Sequence, residues 1–342
     1  MKIVLQHLTK KFPARGSVRG RKNREDVIAV NDFDFEIPDG KLIGLLGPSG
    51  CGKSTALNLI CGLLKPTEGK IFFGEDDVTG LPPENRGVGM VFQNYALYPH
   101  LTVEKNIQFP LENLKGADKL SKEEMSKRVL EAAKLVQIDH LLERKPNELS
   151  GGQQQRVAIA RALATNPKII LCDEATSALD PTTTTSILNL LREINRKMGI
   201  TIVIITHEMS VVESTCTHVA IIDDGQLAEC GTVESVFSQP KSAAAKKLIF
   251  RTAGADSGAM GERMIRIVFE GSSADEPTIS DLAMQCHVAV NIRYADTREV
   301  SGKLFGQMIL QLPEDHLQQE KAIYFLQNKG LRVEEVNGYV HG

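Results

Sequence analysis

Two hydrophobic patterns alternate along the first two thirds of the chain. Short apolar runs with the length of strands occur at 2–8, 28–37, 41–46, 168–171 and 201–206. Apolar residues at helical spacing occur at 53–64, 122–136, 153–164 and 182–197. Because strands alternate with helices, the pattern predicts a largely parallel sheet that is covered on both faces.

The pattern changes near Pro240. A predicted helix at 241–250 precedes the small, flexible stretch TAGADSGAMG at 252–261, which is typical of a linker. The elements predicted beyond it are strand 264–269, helix 278–286, strands near 288–294 and 303–310, helix 314–328 and strand 332–336. This β-α-β-β-α-β order predicts a small ferredoxin-like unit. We therefore expect a larger domain at 1–250, a linker at 251–262 and a smaller domain at 263–342.

Composition excludes several classes of protein. The 342 residues are 42% apolar and 24% charged, with 40 basic and 43 acidic side chains, so the chain is not disordered and its net charge of −3 disfavours a surface built for nucleic acid. No apolar run is long enough for a membrane helix, and the start has no signal-peptide pattern. We expect a cytosolic chain whose six scattered cysteines are reduced and buried.

A basic segment lies between the first two predicted strands. Residues 13–26 are rich in Gly, Arg and Lys, and no acidic residue occurs from position 1 to 24. The segment is interpreted as a solvated hairpin loop, with contact to anionic headgroups or to a partner as the alternative.

A phosphate-binding loop is the strongest chemical signal. The sequence from Gly47 to Thr55, GPSGCGKST, matches G-x-x-x-x-G-K-[ST] and lies between a predicted strand and a predicted helix. Its glycines allow backbone N–H groups to point at phosphate oxygens, Lys53 neutralises the β- and γ-phosphates, and the Ser54 hydroxyl binds Mg2+. The predicted nucleotide contacts are Gly47, Ser49, Gly50, Cys51, Gly52, Lys53, Ser54 and Thr55. The flanking elements argue against a plain glycine turn.

Two acidic residues end a later apolar strand. Side chains alternate along a strand, so Asp173 and Glu174 can serve different purposes. We assign Asp173 to Mg2+ and Glu174 to the base that orients or deprotonates the attacking water. Alone, such a pair is more often a solvated strand end.

A second candidate anion site lies between these motifs. Ser150, Gly151, Gly152 and Gln153 stand at the start of a predicted helix. A hydroxyl, exposed backbone N–H groups and a helix dipole together favour an anion.

The order of these motifs resembles the ATP-binding subunits of ATP-binding-cassette transporters. Gln93 in GMVFQNYALYP resembles that family's Q-loop, Asp180 in SALD its D-loop, and His207 in ITHE its switch histidine. The resemblance implies catalytic roles for Glu174, His207, Gln93 and Lys53, with Gln93 also in the Mg2+ shell. It places Phe12 on the adenine ring. Taken alone, Phe12 is more typical of core packing, Gln93 of an ordinary polar loop and His207 of a core histidine, but the five motifs in order favour the functional interpretation.

The same resemblance implies an α/β P-loop ATPase core with an antiparallel β subdomain and a helical subdomain. It also implies two partners, a second copy of the chain and a membrane permease. In that family Ser150–Gln153 and Asp180 complete the ATP site of a second copy, and the hydrolysing pair drives a separate permease on the inner membrane face. The expected permease contact is the segment 94–107, whose apolar residues are Tyr95, Leu97, Tyr98, Pro99 and Leu101. Core packing is an equal alternative for about half of them. A substrate-binding protein is implied indirectly.

The tail resembles one subfamily in particular. Residues 81–107 are similar to sugar and polyamine importer cassettes, whereas LCDEATSALDP, ITHEMSVVE and the tail are similar to methionine-importer ATPases. Those ATPases end in a ferredoxin-like domain called NIL, after an Asn-Ile-Leu tripeptide. At the matching position this chain has Asn291-Ile292-Arg293, so it departs from the tripeptide at its third residue. The resemblance implies methionine import with feedback inhibition by an amino acid bound to the tail. The alternatives are a sugar or polyamine importer, an exporter cassette, or a soluble non-transport ATPase of the same superfamily.

Overall fold

The computed structural model describes residues 1–13, 26–114, 116–174, 179–249, 263–270, 276–300 and 303–336. The predicted linker and most of the basic segment lie outside these residues. The chain divides into two compact units, 1–233 and 234–342, which are described separately. The predicted boundary near residue 250 stays a prediction.

The first unit contains ten strands and the helices α1 to α6 among its described residues. The strands are β1 (Ile3–Phe12), β2 (Val27–Ile37), β3 (Leu42–Leu46), β4 (Glu68–Phe73), β5 (Asp76–Asp77), β6 (Val88–Val91), β7 (Ile169–Asp173), β8 (Thr201–Thr206), β9 (His218–Asp223) and β10 (Gln226–Thr232). The helices are α1 (Lys53–Cys61), α2 (Val103–Glu112), α3 (Lys122–Leu135), α4 (Gly151–Ala164), α5 (Pro181–Met198) and α6 (Met209–Thr215).

Two sheets form this unit. The larger has the strand order β10-β9-β3-β8-β7-β6, and every neighbouring pair is parallel except β10 with β9. The smaller, antiparallel sheet has the order β2-β1-β4-β5. All residues of β3 and β8 are buried, as is typical of central parallel strands whose two faces are both covered. The predicted parallel sheet is therefore confirmed.

Helix α1 packs between the two sheets. Leu57 and Ile60 share one buried cluster with Leu45 of β3 and with Leu5 of β1. On the other face of the large sheet, a Cβ placed on Gly44 would lie 2.7 Å from a methyl group of Val212 in α6. Helix α4 packs against α2 and α3, which form the helical part of the unit.

Polar side chains set the starts of four helices. Thr102, Ser121, Ser150 and Asp180 each accept a hydrogen bond from a backbone N–H in the first turn of α2, α3, α4 and α5. Such caps satisfy N–H groups that have no partner within the helix. Helix α4 starts at Gly151, two residues before the predicted start, because Ser150 forms this cap.

Several short elements were not predicted. These are strands β4, β5, β6, β9 and β10 and helices α2, α6 and α7 (Val233–Ser238). Strand β6 has only four residues, and the edge strand β10 has no buried stretch. Cys230 on β10 is exposed, which corrects the expectation that all the cysteines are buried.

The second unit contains a four-stranded antiparallel sheet with the order β12-β13-β11-β14. Its elements are α8 (Ala243–Ile249), β11 (Met264–Glu270), α9 (Thr278–Cys286), β12 (Asn291–Val300), β13 (Lys303–Gln311), α10 (His316–Asn328) and β14 (Arg332–Val336), and α7 (Val233–Ser238) spans the division between the units. Ile265 and Ile267 share a buried cluster with Leu282 of α9 and Leu326 of α10. This confirms the ferredoxin-like order, although β12 starts three residues later than predicted. Within the described ranges, no helix has the length and apolar character needed to cross a bilayer.

The position of α1 generates a stability prediction. Leu57 on α1 is 0% exposed, whereas the nearby Leu63 is 50% exposed. Leu57→Ala is expected to lower the free energy of unfolding by about 2–5 kcal/mol, because it leaves a cavity in a packed core. Leu63→Ala is the matched control and is expected to cost under about 1 kcal/mol. Urea unfolding followed by circular dichroism measures both, and an equal loss would contradict the position of α1.

Candidate active site

The glycine loop between β3 and α1 is pressed against two other strands. A Cβ on Gly47 would lie 2.2 Å from the carbonyl oxygen of Ile222 in β9, and one on Gly52 would lie 2.2 Å from the carbonyl oxygen of Ala29 in β2. Gly52 also has φ of 101°, a left-handed value that disfavours other residues. These positions therefore require glycine.

The loop ends at a helix start that is suited to an anion. Gly52 is the N-cap of α1 and provides no side-chain cap, so the first N–H groups of the helix have no such partner. Lys53 is 5% exposed, and its Nζ donates to the carbonyl oxygens of Gly47 at 2.9 Å and Pro48 at 2.7 Å. Burial raises the pKa of the neighbouring Cys51 thiol, although Lys53 opposes the shift. A buried cation at the positive end of a helix favours phosphate.

The side chain of Ser54, in the first turn of α1, is hydrogen-bonded to Asp173 at the end of β7. The Ser54 hydroxyl donates to Oδ1 of Asp173 at 3.1 Å, where Asp173 is the last residue of β7. Burial raises the pKa of the Asp173 carboxyl, while the hydrogen bond from Ser54 opposes this shift. A divalent cation beside Asp173 would favour the charged form. The pair provides the oxygen ligands that Mg2+ prefers.

Glu174 forms the centre of a second group. Nε2 of Gln93 donates to one of its carboxylate oxygens at 3.1 Å, and Nδ1 of His207 lies 3.3 Å from the other. Glu174 has φ of 42°, which is uncommon for a residue with a side chain and turns the backbone at the end of β7. Gln93, Glu174 and His207 follow the neighbouring strands β6, β7 and β8, whose parallel arrangement places their carboxyl ends at one edge.

The Ser150 segment is a helix cap rather than a loose turn. The Ser150 hydroxyl accepts from the N–H of Gln153 at 3.3 Å, and the Gln153 side chain accepts from the N–H of Ser150 at 3.0 Å. These hydrogen bonds stay within the first turn of α4. The reciprocal cap places Gly151 and Gly152 at the positive end of α4.

Asp180 is the N-cap of α5 and lies near this segment. Its carboxylate accepts from the N–H of Thr183 at 3.0 Å, and the hydrogen bonds of Thr183 lower the pKa of the carboxyl. A Cβ on Gly152 would lie 2.5 Å from a methyl group of Thr183, so the starts of α4 and α5 are in close contact. Ser177, in the same motif, lies outside the described residues.

Phe12 ends β1 on the side of the glycine loop. It pairs with Val27 of β2, two residues before Ala29, whose carbonyl lies against Gly52. The ring is half-buried, and the ammonium of Lys10 lies 5.2 Å from its centroid. Stacking of Phe12 on adenine stays a prediction.

Sequence reasoning missed residues that shape the site through their backbone or from a distance. Ala29 and Ile222 form the walls of the glycine loop, and the N–H of Gly225 donates to the carbonyl of Cys51 at 3.1 Å. Arg161 of α4 donates to the carbonyls of Tyr95 and Ala96, close to Gln93. Only Arg161 carried a sequence signal, as a charged residue within the apolar run VAIARALA.

Comparison with known proteins identifies the class to which this geometry belongs. The family model described as ABC transporter matches residues 30–177, and the one described as NIL domain matches residues 263–335. A solved dimeric, post-hydrolysis structure of the ATP-binding cassette MJ0796 with ADP and Pi is 37% identical, has a TM-score of 0.58, and covers 68% of this chain and 98% of its own. The chain therefore contains the ATPase cassette of an ABC transporter.

Two relatives extend the comparison over nearly the full length. "Methionine import ATP-binding protein MetN" of Desulfitobacterium hafniense (strain Y51) is 42% identical over 98% of this chain and 99% of the relative. The protein of the same name from Escherichia coli (strain K12) is 40% identical over 99% and 100%. The chain belongs to this family of importer ATPases, which confirms the resemblance stated from the sequence.

The close contact at Gly52 generates a binding prediction. Gly52→Ala is expected to strain the loop by about 1–3 kcal/mol through its positive φ alone, in addition to the clash with Ala29, and so to weaken nucleotide binding. Titration of the chain with a fluorescent ATP analogue measures the affinity. Gly80→Ala is the control, because a Cβ there meets nothing within 4 Å. Unchanged affinity of the Gly52 variant would contradict the loop geometry.

Proposed function

We propose that this chain hydrolyses ATP to drive the import of methionine or a related amino acid, and that its C-terminal unit senses the imported amino acid. The observation that carries the proposal is the contact of Glu174 with both Gln93 and His207, next to the Ser54–Asp173 pair. Full-length similarity to methionine import ATP-binding proteins supports the choice of substrate. It favours this subfamily over the sugar and polyamine importers, to which residues 81–107 are similar.

Glu174 is the proposed general base. Its carboxylate accepts a proton from the attacking water, while His207 and Gln93 hold the carboxylate in place. The N–H groups of the glycine loop and Lys53 bind the phosphates of the substrate ATP. Both groups act on one reaction centre because they lie at the same edge of the parallel sheet.

The residues present fit a magnesium ion. The Ser54 hydroxyl and the Asp173 carboxylate lie 3.1 Å apart, and the amide of Gln93 brings a third oxygen to the same edge. We infer that these three residues hold Mg2+. When bound, the ion neutralises charge on the transferred phosphate.

A second copy of the chain is proposed to complete each site. Ser150, Gly151, Gly152 and Gln153 form a positively polarised helix start whose own hydrogen bonds stay in α4, and Asp180 lies beside it. One glycine loop provides donors on one side of a triphosphate, so a helix start from a partner copy would bind the other side. The dimeric form of the cassette in the solved relative supports this arrangement.

The surface after Gln93 is the proposed permease contact. Tyr98 and Phe109 are 36% and 37% exposed, and their ring centroids lie 4.6 Å apart. The fully buried Asn106 holds this surface, because its side chain bonds the backbone of Tyr98 at 2.8 and 3.1 Å. An exposed aromatic pair on a fixed backbone suits a protein partner. We therefore propose that the chain binds permease subunits at the cytoplasmic face of the membrane. A substrate-binding protein would deliver the solute to that permease.

The C-terminal unit is the proposed sensor of the amino acid. Asn291 and Ile292 begin the edge strand β12 opposite Gln311 and Leu310, and the register shifts between Ile292 and Tyr294, at Arg293. The tripeptide of the NIL domain thus lies at a shift of register on an edge strand, and irregular positions of this kind are often next to a functional site. The match to the NIL model and the names of the relatives support an amino-acid ligand.

The role of Glu174 predicts a trapped state. Glu174→Gln is expected to abolish ATP turnover because an amide cannot accept the proton, and ATP-bound dimers are expected to accumulate. Phosphate release and sedimentation velocity measure the two effects. Glu75→Gln, at an exposed glutamate in the turn before β5, is the control and is expected to behave as the parent. Parental turnover by the Glu174 variant would exclude Glu174 as the base.

The sensor role predicts a loss of inhibition. A chain that ends at residue 262 is expected to hydrolyse ATP but to lose inhibition by L-methionine, because the NIL region is removed. ATPase rates of the permease complex with and without L-methionine measure this effect, and leucine is the control ligand. Calorimetric titration of the full chain with L-methionine measures binding directly. Inhibition that persists in the shortened chain would refute the sensor.

A further inference from the structure

Arg161 is a charged residue in an otherwise buried part of α4. The residues around it, from Val157 to Ala164, are all buried and apolar. Its guanidinium donates to the carbonyl oxygens of Ala96 at 2.5 Å and Tyr95 at 2.8 Å. Burial lowers the pKa of Arg161, yet an arginine side chain stays protonated at neutral pH. Arg161 thus attaches α4 to the turn that follows Gln93.

This turn needs support from outside. Tyr95 and Ala96 have φ of 61° and 47°, left-handed values that residues with side chains rarely adopt. Within the turn, the N–H of Tyr95 donates to the carbonyl of Phe92 and the N–H of Ala96 to the carbonyl of Asn94. The two bonds from Arg161 favour the backbone direction that presents both carbonyls to α4.

Tyr95 also reaches the beginning of α4. Its hydroxyl oxygen lies 3.3 Å from the position that a Cβ on Gly151 would take. Arg161 lies about 15 Å further along the same helix by the rise per residue. Tyr95 therefore contacts α4 through its side chain at one end and through its carbonyl at the other, which fixes the turn along the helix.

Both sides of the turn are connected to functional residues. Gln93, two residues before Tyr95, donates to Glu174. Beyond the turn, Asn106 of α2 fixes the backbone of Tyr98. The turn is thus held on both sides and is attached to α4 by Arg161, so a continuous chain of contacts links Gln93 to this rigid helix.

We propose that Arg161 and Tyr95 are positioning residues that make the Gln93 turn and the Ser150–Gly152 helix start move together. The inference rests on the proposed function, in which Glu174 acts in the site of its own copy and Ser150 completes the site of the partner copy. The Arg161 contact then couples the two ATP sites of the dimer, since the state of Glu174 in one site sets the position of the helix start offered to the other.

The experiment measures dimer formation in the Glu174→Gln background. With MgATP, Arg161→Gln is expected to weaken ATP-driven dimerisation by about tenfold or more, the range of coupling between linked sites. Nucleotide affinity at a protein concentration that keeps chains monomeric is expected to change by less than about twofold, because the hydrogen bonds of Arg161 go to Tyr95 and Ala96 and not to the glycine loop. Arg161→Lys retains the charge but not the two-pronged guanidinium. Its ATP-driven dimerisation is expected to lie between that of the Glu174→Gln parent and that of Arg161→Gln.

Arg156→Gln is the matched control on the same helix. Arg156 donates to the carbonyl of Val136 at 2.7 Å and to the Ser186 hydroxyl at 2.9 Å, so it holds α4 to α3 and α5 instead of to the Gln93 turn. Dimerisation is expected to survive this change. An equal loss of dimerisation in the Arg156 and Arg161 variants would mean that Arg161 only helps α4 to pack, and would overturn the inference.

The outcomes separate the two proposals. If the Glu174→Gln parent stays monomeric with MgATP, the shared site fails and the coupling fails with it. If the parent forms dimers and Arg161→Gln forms them equally well, only the coupling is refuted. Thermal denaturation checks that Arg161→Gln is folded. If it is not, Tyr95→Leu replaces it, because this change removes the contact with Gly151 and is expected to weaken dimerisation in the same way.

Discussion

The parallel order β3-β8-β7-β6 is the constraint on which the candidate site depends. Parallel strands end at a common edge, so the glycine loop after β3, His207 after β8, Glu174 at the end of β7 and Gln93 after β6 all emerge there. None of these residues is close to the others in sequence. A change in strand order would separate Glu174 from its two contacts even if every motif were intact.

The close approach of backbone atoms restricts which residues the glycine loop can contain. Gly47 and Gly52 are pressed against the carbonyl oxygens of Ile222 and Ala29, so both sheets shape the glycine loop. Glycine is needed there because any side chain would enter a neighbouring strand. The site therefore depends on the packing of the antiparallel sheet against α1 as well as on the parallel sheet itself.

Helix α4 connects the parts that hydrolysis has to coordinate. It begins with the capped Ser150 turn and carries Arg161 further along, where it holds the carbonyls after Gln93. A helix is stiff over this length, so its start cannot move independently of that contact. The second unit has a separate core, in which α9 and α10 pack on its sheet, as expected of a domain that folds around its own hydrophobic cluster.

The sequence alone determined the motifs, their order, the parallel sheet and the ferredoxin-like tail. These follow from local patterns: strand and helix periodicity reports burial, and glycine, lysine and acidic residues at fixed spacing report phosphate chemistry. Tertiary structure alone decided the contacts of Glu174 with Gln93 and His207, the walls that Ala29 and Ile222 form, and the attachment of Arg161 to Tyr95. All of them join segments that are distant in sequence. The contacts of Glu174 are between side chains at the ends of separate strands, and the others involve backbone atoms that every residue shares, so no local residue pattern records them.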